Sequence, residues 1–372
     1  MEALLSWGLA SVLGSSFAAC AFLVLTQRWH GRFSLDHDLN GVQKIHTTPV
    51  PRVGGLGLAA GLLAGALVSF ILGGQTYPWI WQLLLCATPA FAAGLIEDLT
   101  KKVSVRTRLY ASFISAAMAI WVLGAQLLRL DTPVLDDLIT IAPISILFTC
   151  FAVGGMTHAI NIIDGLNGLA AGCVALMLAG LAAIAWQVGD VMVMKLCLWG
   201  VAALIGFLLL NFPFGRIFLG DGGAYLAGFW LAECAVLLLN RNPSVSTWAV
   251  LLCCIYPAWE TVFSMYRRNM RQSVSSGAAD MGHFHHLALK SAVLLQGRRE
   301  PTWRSHSRAS ASLWLMVLVC QCVAVLSYNS THITIGGVMA FVIVYQWRYA
   351  AMTRSAADKM PGTGQITANT ER

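Results

Sequence analysis

Long apolar stretches separated by short polar loops limit what this chain can fold into. About 20 consecutive apolar residues are needed for a helix to cross the hydrocarbon core of a bilayer. The chain is 57% hydrophobic and 11% charged, with a mean hydropathy of +0.69, whereas a soluble domain carries roughly 25% charged residues. We therefore predict an all-α, polytopic integral membrane protein with about eleven transmembrane helices. The predicted spans are 3–27, 53–72, 79–96, 109–128, 138–156, 169–188, 191–210, 222–239, 247–264, 309–327 and 333–349.

The basic residues predict how these helices are oriented. All of the 24 lysines and arginines except Arg129, Lys195 and Arg241 fall on one side of the predicted topology. Cytoplasmic loops carry an excess of Lys and Arg, so we predict an outside N-terminus and a cytoplasmic C-terminus. The formal net charge of +7 is then an orientation signal and an attraction for anionic headgroups and phosphates, and it does not indicate nucleic-acid binding.

The polar motifs fall on the predicted cytoplasmic loops. We predict a single transmembrane domain over residues 1–350 and a disordered cytoplasmic tail over 351–372, because the tail is polar and contains Pro361 and Gly364. The loops expected to carry chemistry are 28–52, 97–108, 157–168, 211–221 and 265–308.

Adjacent acids end one of the spans. Glu97 and Asp98 repel each other, and charges at membrane depth are costly. They therefore need nearby cations, either the basic residues that follow them or a bound metal ion. An ordinary solvated helix end is the alternative interpretation.

Two further loops offer oxygen ligands. Asn161, Asp164 and Asn167 lie three residues apart, so in a helix they would share one face. Asp221 lies in a Gly-Asp-Gly-Gly run whose backbone amides could approach a phosphate. Such oxygen ligands suit Mg²⁺, which takes few protein ligands and keeps several waters. A Gly-rich turn with capping side chains is the alternative.

The longest loop, 265–308, holds eight Lys and Arg residues, two acids and His283, His285 and His286. A histidine cluster can indicate a metal site, but this loop lacks cysteine and is strongly basic. Donors to a nucleotide diphosphate fit it better. By helical spacing, His283 and His286 could share a face, with His285 pointing elsewhere.

The motifs Gly-Leu-Ile-Glu-Asp, Asn-Ile-Ile-Asp-Gly-Leu-Asn-Gly, Phe-Leu-Gly-Asp-Gly-Gly and His-Phe-His-His occur in this order. Together they resemble the polyprenyl-phosphate N-acetylhexosamine-1-phosphate transferases, glycosyltransferase family 4. The His-x-His-His pattern is more similar to the branch that initiates O-antigen and enterobacterial common antigen than to the peptidoglycan branch.

The resemblance implies an activity. N-acetylhexosamine 1-phosphate, or a 6-deoxy relative, would pass from a UDP-sugar to undecaprenyl phosphate, with release of UMP. The cofactor would be Mg²⁺, or Mn²⁺ in its place, and the site would face the cytoplasm at a bacterial inner membrane. The membrane lipid would surround the protein, and a homodimer is one assembly that such an enzyme could form.

The resemblance also implies residue roles. Asp98, Glu97 and Asp164 would be catalytic, with Asp98 favoured because the family pair is commonly Asp-Asp. Asp221 and Asn161 would hold the metal. The UDP-sugar would contact Asn167, Asn211, Phe218, Arg108, His283, His285 and His286.

Two other classes remain open, a multi-span transporter and a non-catalytic protein that binds a lipid carrier. Transporters place ionisable groups near the bilayer midplane. Here only Lys195, Glu233 and Glu260 fall inside predicted spans, which favours an enzyme at the interface. The donor sugar stays open, since its variants differ by small groups.

Overall fold

A computed structural model describes residues 2–35, 49–73, 77–271, 282–298 and 300–358. Within these ranges the secondary structure is helical, with one isolated bridge between Leu35 and Pro51. The all-α prediction is confirmed. The helices are α1 (Glu2–Leu25), α2 (Gln27–Ser34), α3 (Gly54–Ile71), α4 (Tyr77–Thr100), α5 (Val105–Leu123), α6 (Pro133–Ile139), α7 (Ala142–Ile163), α8 (Leu169–Gln187), α9 (Val191–Asn211), α10 (Gly220–Arg241), α11 (Thr247–Cys253), α12 (Ile255–Arg271), α13 (Phe284–Leu295), α14 (Trp303–Leu326) and α15 (Thr331–Asp358).

The chain is a multi-pass membrane protein, but the predicted count of eleven spans is not confirmed. In the described part of the chain, eight helices are long and apolar enough to cross a membrane: α1, α3, α4, α7, α8, α9, α10 and α14. The predicted span 247–264 is two helices, α11 and α12, which meet at an angle of 78°. The set excludes α5, whose first turn carries Arg106 and Arg108, and α15, whose second half carries Arg348 and Arg354. The orientation of the termini stays a prediction.

The last helix extends further than the sequence suggested. Residues 351–358, assigned above to a disordered tail, continue α15 to Asp358. The remainder of that tail, and the segments 36–48 and 272–281 of two predicted loops, lie outside the described residues.

Helix α10 is the centre of the bundle. Every residue from Gly220 to Leu239 is buried, and the helix packs against α3, α4, α5, α7, α8 and α9. Its 22 residues make it about 33 Å long, enough to cross the hydrocarbon core. Asp221 therefore lies at one membrane surface and Arg241 at the other.

The Arg241 end is closed by a structural ion pair. Arg241 Nε donates to Asp190 Oδ2 at 2.7 Å, and Asn242 Nδ2 donates to the same oxygen at 3.0 Å. Burial alone would raise the pKa of Asp190, but these hydrogen bonds outweigh it and hold the pKa below its ordinary value. This pair ties the start of α9 to the end of α10, and the polar groups that suit chemistry gather at the opposite end.

Glycines bring α3 directly against α1. Without a hydrophobic driving force between helices in lipid, close backbone approach through small residues contributes much of their association. A Cβ added at Gly61 of α3 would lie 2.7 Å from the carbonyl oxygen of Val12 and 2.9 Å from Cβ of Ser16. The oxygen is backbone and has little freedom to move aside, so a larger residue at position 61 forces the helices apart.

We expect Gly61→Ala to destabilise the detergent-solubilised protein by about 1–3 kcal/mol, because overpacking at a backbone contact displaces the helix. Gly14→Ala in α1 is the matched control, since nothing lies within 4 Å of a Cβ at Gly14. The control should be neutral or slightly stabilising, because alanine favours helix more than glycine does. Thermal melts of both variants decide the matter, and equal melting temperatures would contradict this packing.

Candidate active site

The site is built on the N-terminus of α10, which Asp98 holds. Asp98 is 3% exposed, and its Oδ1 and Oδ2 accept from the backbone amides of Asp221 and Gly222, each at 2.9 Å. Gly220 has φ +73°, and a Cβ there would lie 2.5 Å from Asp98 Oδ2. The first amides of a helix lack intrahelical partners and carry positive charge from the helix dipole. Asp98 from α4 satisfies two of them, and it fixes the direction in which Asp221 points.

Asp221 is enclosed by two arginines. Its Oδ1 accepts from Arg52 Nη2 at 3.0 Å, and its Oδ2 contacts Arg108 Nη1. Arg52 Nη2 also lies 3.6 Å from Asp98 Oδ1. Guanidinium groups pair well with phosphate oxygens, so Arg52 and Arg108 are candidates to bind a nucleotide diphosphate. Arg108 was predicted as a diphosphate ligand, and the structure places it at the site.

Arg52 was not among the site residues predicted from the sequence. The segment before α3 pairs with the segment before α10, since Phe218 N donates to Pro51 O at 2.8 Å and Gly54 N donates to Phe218 O at 2.9 Å. This pairing carries Arg52 across to Asp221. The available signal was a basic residue between Pro51 and the glycines that begin α3, a pattern that also fits a purely structural loop.

The predicted amide and acid trio does not share one helix face. Helix α7 ends at Ile163, so Asn161 is helical, Asp164 is the C-cap, and Asn167 lies in the following turn. Asn161 Nδ2 donates to Tyr225 Oη at 3.2 Å, which places it beside α10 one turn beyond Asp221. A shared face would have required a helix that continues through Asn167, but α7 ends at Ile163.

Asp164 joins the acids. Burial raises the pKa of Asp164 to about 7; the nearby carboxylate of Asp98 adds to this, and Arg52 opposes it. Asp98 and Arg52 therefore lie close enough to act on Asp164. Asp164 therefore adjoins Asp98 and Arg52, and these two join it to Asp221, which also pairs with Arg108.

Glu97 serves a different purpose from Asp98. Its Oε2 accepts from the Val103 amide at 2.7 Å, so it closes the turn between α4 and α5. Adjacent residues on a helix point in different directions. The pair thus separates into one acid at the site, Asp98, and one at the loop.

Asn167 has an unused acceptor. Its Nδ2 donates to Pro213 O at 3.0 Å, but within the described residues its buried Oδ1 has no hydrogen-bond partner. Leaving a buried acceptor unpaired costs about 1–3 kcal/mol, which a ligand N–H such as that of uracil would recover. Phe218, predicted to stack on uracil, is half-buried in the segment between α9 and α10, which also contains Pro213.

Asn211, by contrast, is bonded inside the protein at both ends of its amide. Its Oδ1 accepts from Gly168 N and its Nδ2 donates to Ile217 O, each at 2.6 Å. Both ends of the amide therefore hold the α7–α8 turn against the α9–α10 turn. This geometry gives Asn211 a supporting role, and its direct contact with a nucleotide stays a prediction.

The three histidines form one cluster. The ring centroids of His283 and His285 are 5.5 Å apart, and those of His285 and His286 are 4.2 Å apart. The helical-face expectation that separated His285 is wrong, because His283 precedes α13 as its N-cap. A Cβ at Gly165 would lie 2.5 Å from His285 Nε2, so the cluster packs on the turn that follows Asp164.

His285 is neutral near pH 7. Burial lowers its pKa well below the ordinary value, and repulsion from His286 and His283 adds to the effect. A neutral imidazole carries one donor and one acceptor, so His285 suits a hydrogen-bonding role better than a charge-pairing one.

The donor set fits a hard cation. Asp98, Asp164, Asp221 and Asn161 supply carboxylate and amide oxygens, the ligands that Mg²⁺ prefers, and these acids outnumber the arginines that face them. Across the described ranges, no group of three or more His, Cys, Asp or Glu side chains is arranged as a metal site. Mg²⁺ commonly takes one or two carboxylates plus substrate phosphates and water, so the residues present fit it.

Comparison with known proteins identifies the family. The profile of glycosyl transferase family 4 matches residues 80–239. The chain is 30% identical over 250 residues to a probable undecaprenyl-phosphate N-acetylglucosaminyl 1-phosphate transferase of Bacillus subtilis (strain 168), which covers 66% of this chain and 67% of that protein. It is 27% identical over 262 residues to the undecaprenyl-phosphate alpha-N-acetylglucosaminyl 1-phosphate transferase of Yersinia pestis (68% of this chain, 69% of that protein). The corresponding protein of Escherichia coli (strain K12) is 28% identical over 269 residues, with the same coverage.

The chain therefore belongs to glycosyl transferase family 4, the family of polyprenyl-phosphate N-acetylhexosamine-1-phosphate transferases.

We expect Asp98→Asn to lower both activity and stability. An amide can accept from only one of the two α10 amides and turns an N–H toward the other, which costs about 1–3 kcal/mol. Glu97→Gln, the adjacent control, should retain most activity because it leaves the α10 N-terminus untouched. The measurements are thermal melts and initial rates of transfer. A melting temperature of Asp98→Asn equal to that of the wild type would contradict the role of Asp98 in capping α10.

Asn167 and Asn211 should respond differently to alanine. Asn167→Ala should raise the KM for the UDP-sugar about 2- to 10-fold, the usual value of one neutral hydrogen bond, with a small change in melting temperature. Asn211→Ala should instead destabilise the protein by about 1–3 kcal/mol, because two buried backbone groups lose their partners. Equal effects on KM and melting temperature in both variants would contradict these roles.

Proposed function

We propose that this protein transfers N-acetylhexosamine 1-phosphate from a UDP-sugar to undecaprenyl phosphate at the cytoplasmic face of a bacterial inner membrane. UMP leaves, and a lipid-linked sugar diphosphate forms. The family and the names of the relatives support the transfer to undecaprenyl phosphate. The excess of Lys and Arg on one side of the topology supports the cytoplasmic placement.

One observation carries the proposal: the acid group Asp98, Asp164 and Asp221 meets Arg52 and Arg108 at the N-terminus of α10. A site that mixes carboxylates, guanidinium groups and helix amides suits phosphoryl transfer, in which positioning and charge neutralisation provide most of the catalysis. A transporter would instead gather ionisable groups near the midplane.

The arginines hold the donor. Arg52 and Arg108 would shift from Asp221 to the diphosphate oxygens as the UDP-sugar binds, since guanidinium groups pair well with phosphate. Asp221 and Asn161 would hold Mg²⁺, or Mn²⁺ in its place. When bound, the ion neutralises the diphosphate and lets the acids and the phosphates share one site.

The acceptor arrives from the bilayer. Arg108 lies in the first turns of α5, and the residues that follow it expose Tyr110 and Ile114 on the outer surface. A lipid phosphate can approach Arg108 along this apolar surface while its chain stays in the membrane. The water-soluble donor enters from the histidine side.

The transfer step needs no proton removal from a dianionic acceptor. A lipid-phosphate oxygen attacks the β-phosphorus of the UDP-sugar, and the bond from that phosphorus to the bridging oxygen breaks. The bridging oxygen leaves on UMP. Asp98, whose two oxygens already accept from α10, then acts by orienting Asp221 and the helix amides; its role as a catalytic base stays a prediction.

The donor side has its own contacts. Asn167 Oδ1 would accept from the uracil N–H, Phe218 would stack on the ring, and the three histidines would contact the diphosphate or the sugar. The sugar itself, GlcNAc or a 6-deoxy relative, differs by groups worth only about 1–3 kcal/mol of discrimination.

The test is release of UMP by purified, detergent-solubilised protein given UDP-GlcNAc and undecaprenyl phosphate. We expect activity that requires added Mg²⁺ or Mn²⁺, disappears in EDTA and returns when the metal is restored. Asp221→Ala should lose on the order of 10³-fold in kcat, as for loss of a main charge-stabilising group. Asp137→Ala, an exposed acid at the opposite end of the bundle, is the control and should remain active. Full activity after exhaustive removal of metal, or in Asp221→Ala, would overturn the assignment.

A further inference from the structure

Helix α12 is amphipathic with its polar face inward. After the 78° bend from α11, it exposes Val262, Met265 and Tyr266 and buries Glu260 and Ser264. A helix at a membrane that turns apolar side chains outward and polar ones inward contacts lipid on one side and a polar site on the other. The inward face must therefore have a polar partner.

That partner is the histidine cluster. Glu260 is 1% exposed, and its Oε1 lies 2.9 Å from His283 Nδ1 and accepts from the amide of Phe284 at 3.1 Å. A carboxylate this deeply buried is costly unless donors surround it. Both donors come from the first residues of the histidine motif, so Glu260 caps α13 at the point where the cluster begins.

A third donor comes from the last helix. Tyr345 Oη donates to Glu260 Oε2 at 2.6 Å, and the Tyr345 ring stacks on Phe284 with centroids 4.6 Å apart. One turn further along α15, Tyr349 Oη donates to Gly282 O at 3.0 Å. The histidine motif is thus held on both sides, by α12 and by α15.

The pairing also determines which nitrogen of His283 can act. Glu260 Oε1 already accepts from an amide that can only donate, so Nδ1 of His283 carries the hydrogen in their shared bond. Any contact of His283 with a substrate then goes through Nε2. A partner on one ring nitrogen commonly sets the tautomer and orientation of the other.

We propose that Glu260, supported by Tyr345, is a positioning residue that orients His283 at the start of the histidine cluster. It touches no reacting atom and acts through His283. The inference rests on the proposed function, because it assigns the oriented histidine to the UDP-sugar.

The experiment compares Glu260→Leu with Glu260→Gln. Leucine is close in size but accepts no hydrogen bond, so it should lower kcat/KM for the UDP-sugar on the order of 10²-fold, as misplacement of a site group does. Glutamine still offers one oxygen to His283 and Phe284, so it should rescue most of the activity. The KM for undecaprenyl phosphate should change little in either variant.

Glu233→Leu is the matched control. Glu233 is a fully buried carboxyl in α10, and neither of its oxygens has a hydrogen-bond partner within the described residues. The same substitution there removes a buried carboxyl from a membrane helix without touching the histidine cluster, and it should leave the kinetics unchanged.

A double-mutant cycle separates positioning from general packing. If Glu260 acts through His283, the change should cost little in a His283→Ala background, so the double variant should resemble His283→Ala alone. Tyr345→Phe removes one of the three bonds and should give a smaller, several-fold loss that also vanishes in that background. It provides the same test if Glu260→Leu does not fold.

The outcomes are distinct. A wild-type kcat/KM in Glu260→Leu, independent losses in the double variant, or a defect confined to the lipid KM would overturn the positioning role while leaving the transferase intact. A wild type that releases no UMP from any UDP-N-acetylhexosamine would overturn the proposed function, and the inference with it.

Discussion

The two hydrogen bonds from the α10 amides to Asp98 are the interaction on which the site depends. They place a negative charge at the positive end of the central helix, where the helix dipole and the unpaired amides favour it. They also join α4 to α10, and α10 contacts most of the bundle. Because Asp221 follows directly in the helix, its direction depends on that junction. The packing of the bundle thus fixes the orientation of Asp221 before any substrate binds.

The charges around this junction are unbalanced in a useful way. Two arginines face three carboxyls, and one of those, Asp164, has its pKa raised to about 7 because burial and the Asp98 carboxylate outweigh the opposing effect of Arg52. A cation that binds carboxylate oxygens would therefore stabilise this site. In the proposed function, such a cation would replace Arg52 and Arg108 as the partner of Asp221. Metal and diphosphate binding would then support each other, because each supplies what the other displaces.

Much of this could be predicted from local sequence. The length of the apolar stretches predicted the helices, and four motifs in order predicted the family. Both predictions were possible because each apolar stretch and each motif is a short continuous segment. Long-range pairings could not be read in this way. Arg52 reaches Asp221 only because the backbone near Pro51 pairs with Phe218, and Asn211 looks like a ligand until its two backbone partners are known. Glu260 was recognised as a charged residue within a predicted span, but its structural role depends on Tyr345, which lies 85 residues further along the chain.

The position of Tyr345 has a consequence for how the protein is made. Helices α3, α4, α5, α7, α8 and α9, which pack against α10, have all been synthesised once the chain has reached the end of α10. The contact of Tyr345 with Glu260, which holds His283, forms only after α15 has been synthesised. Ribosomes add about 5–20 residues per second, so the interval between the histidines and Tyr345 lasts several seconds. During that time a nascent chain has its acids and arginines in place without an ordered histidine cluster. The histidine cluster would therefore be ordered only after Tyr345 has been synthesised, when the helices around α10 are already embedded in lipid.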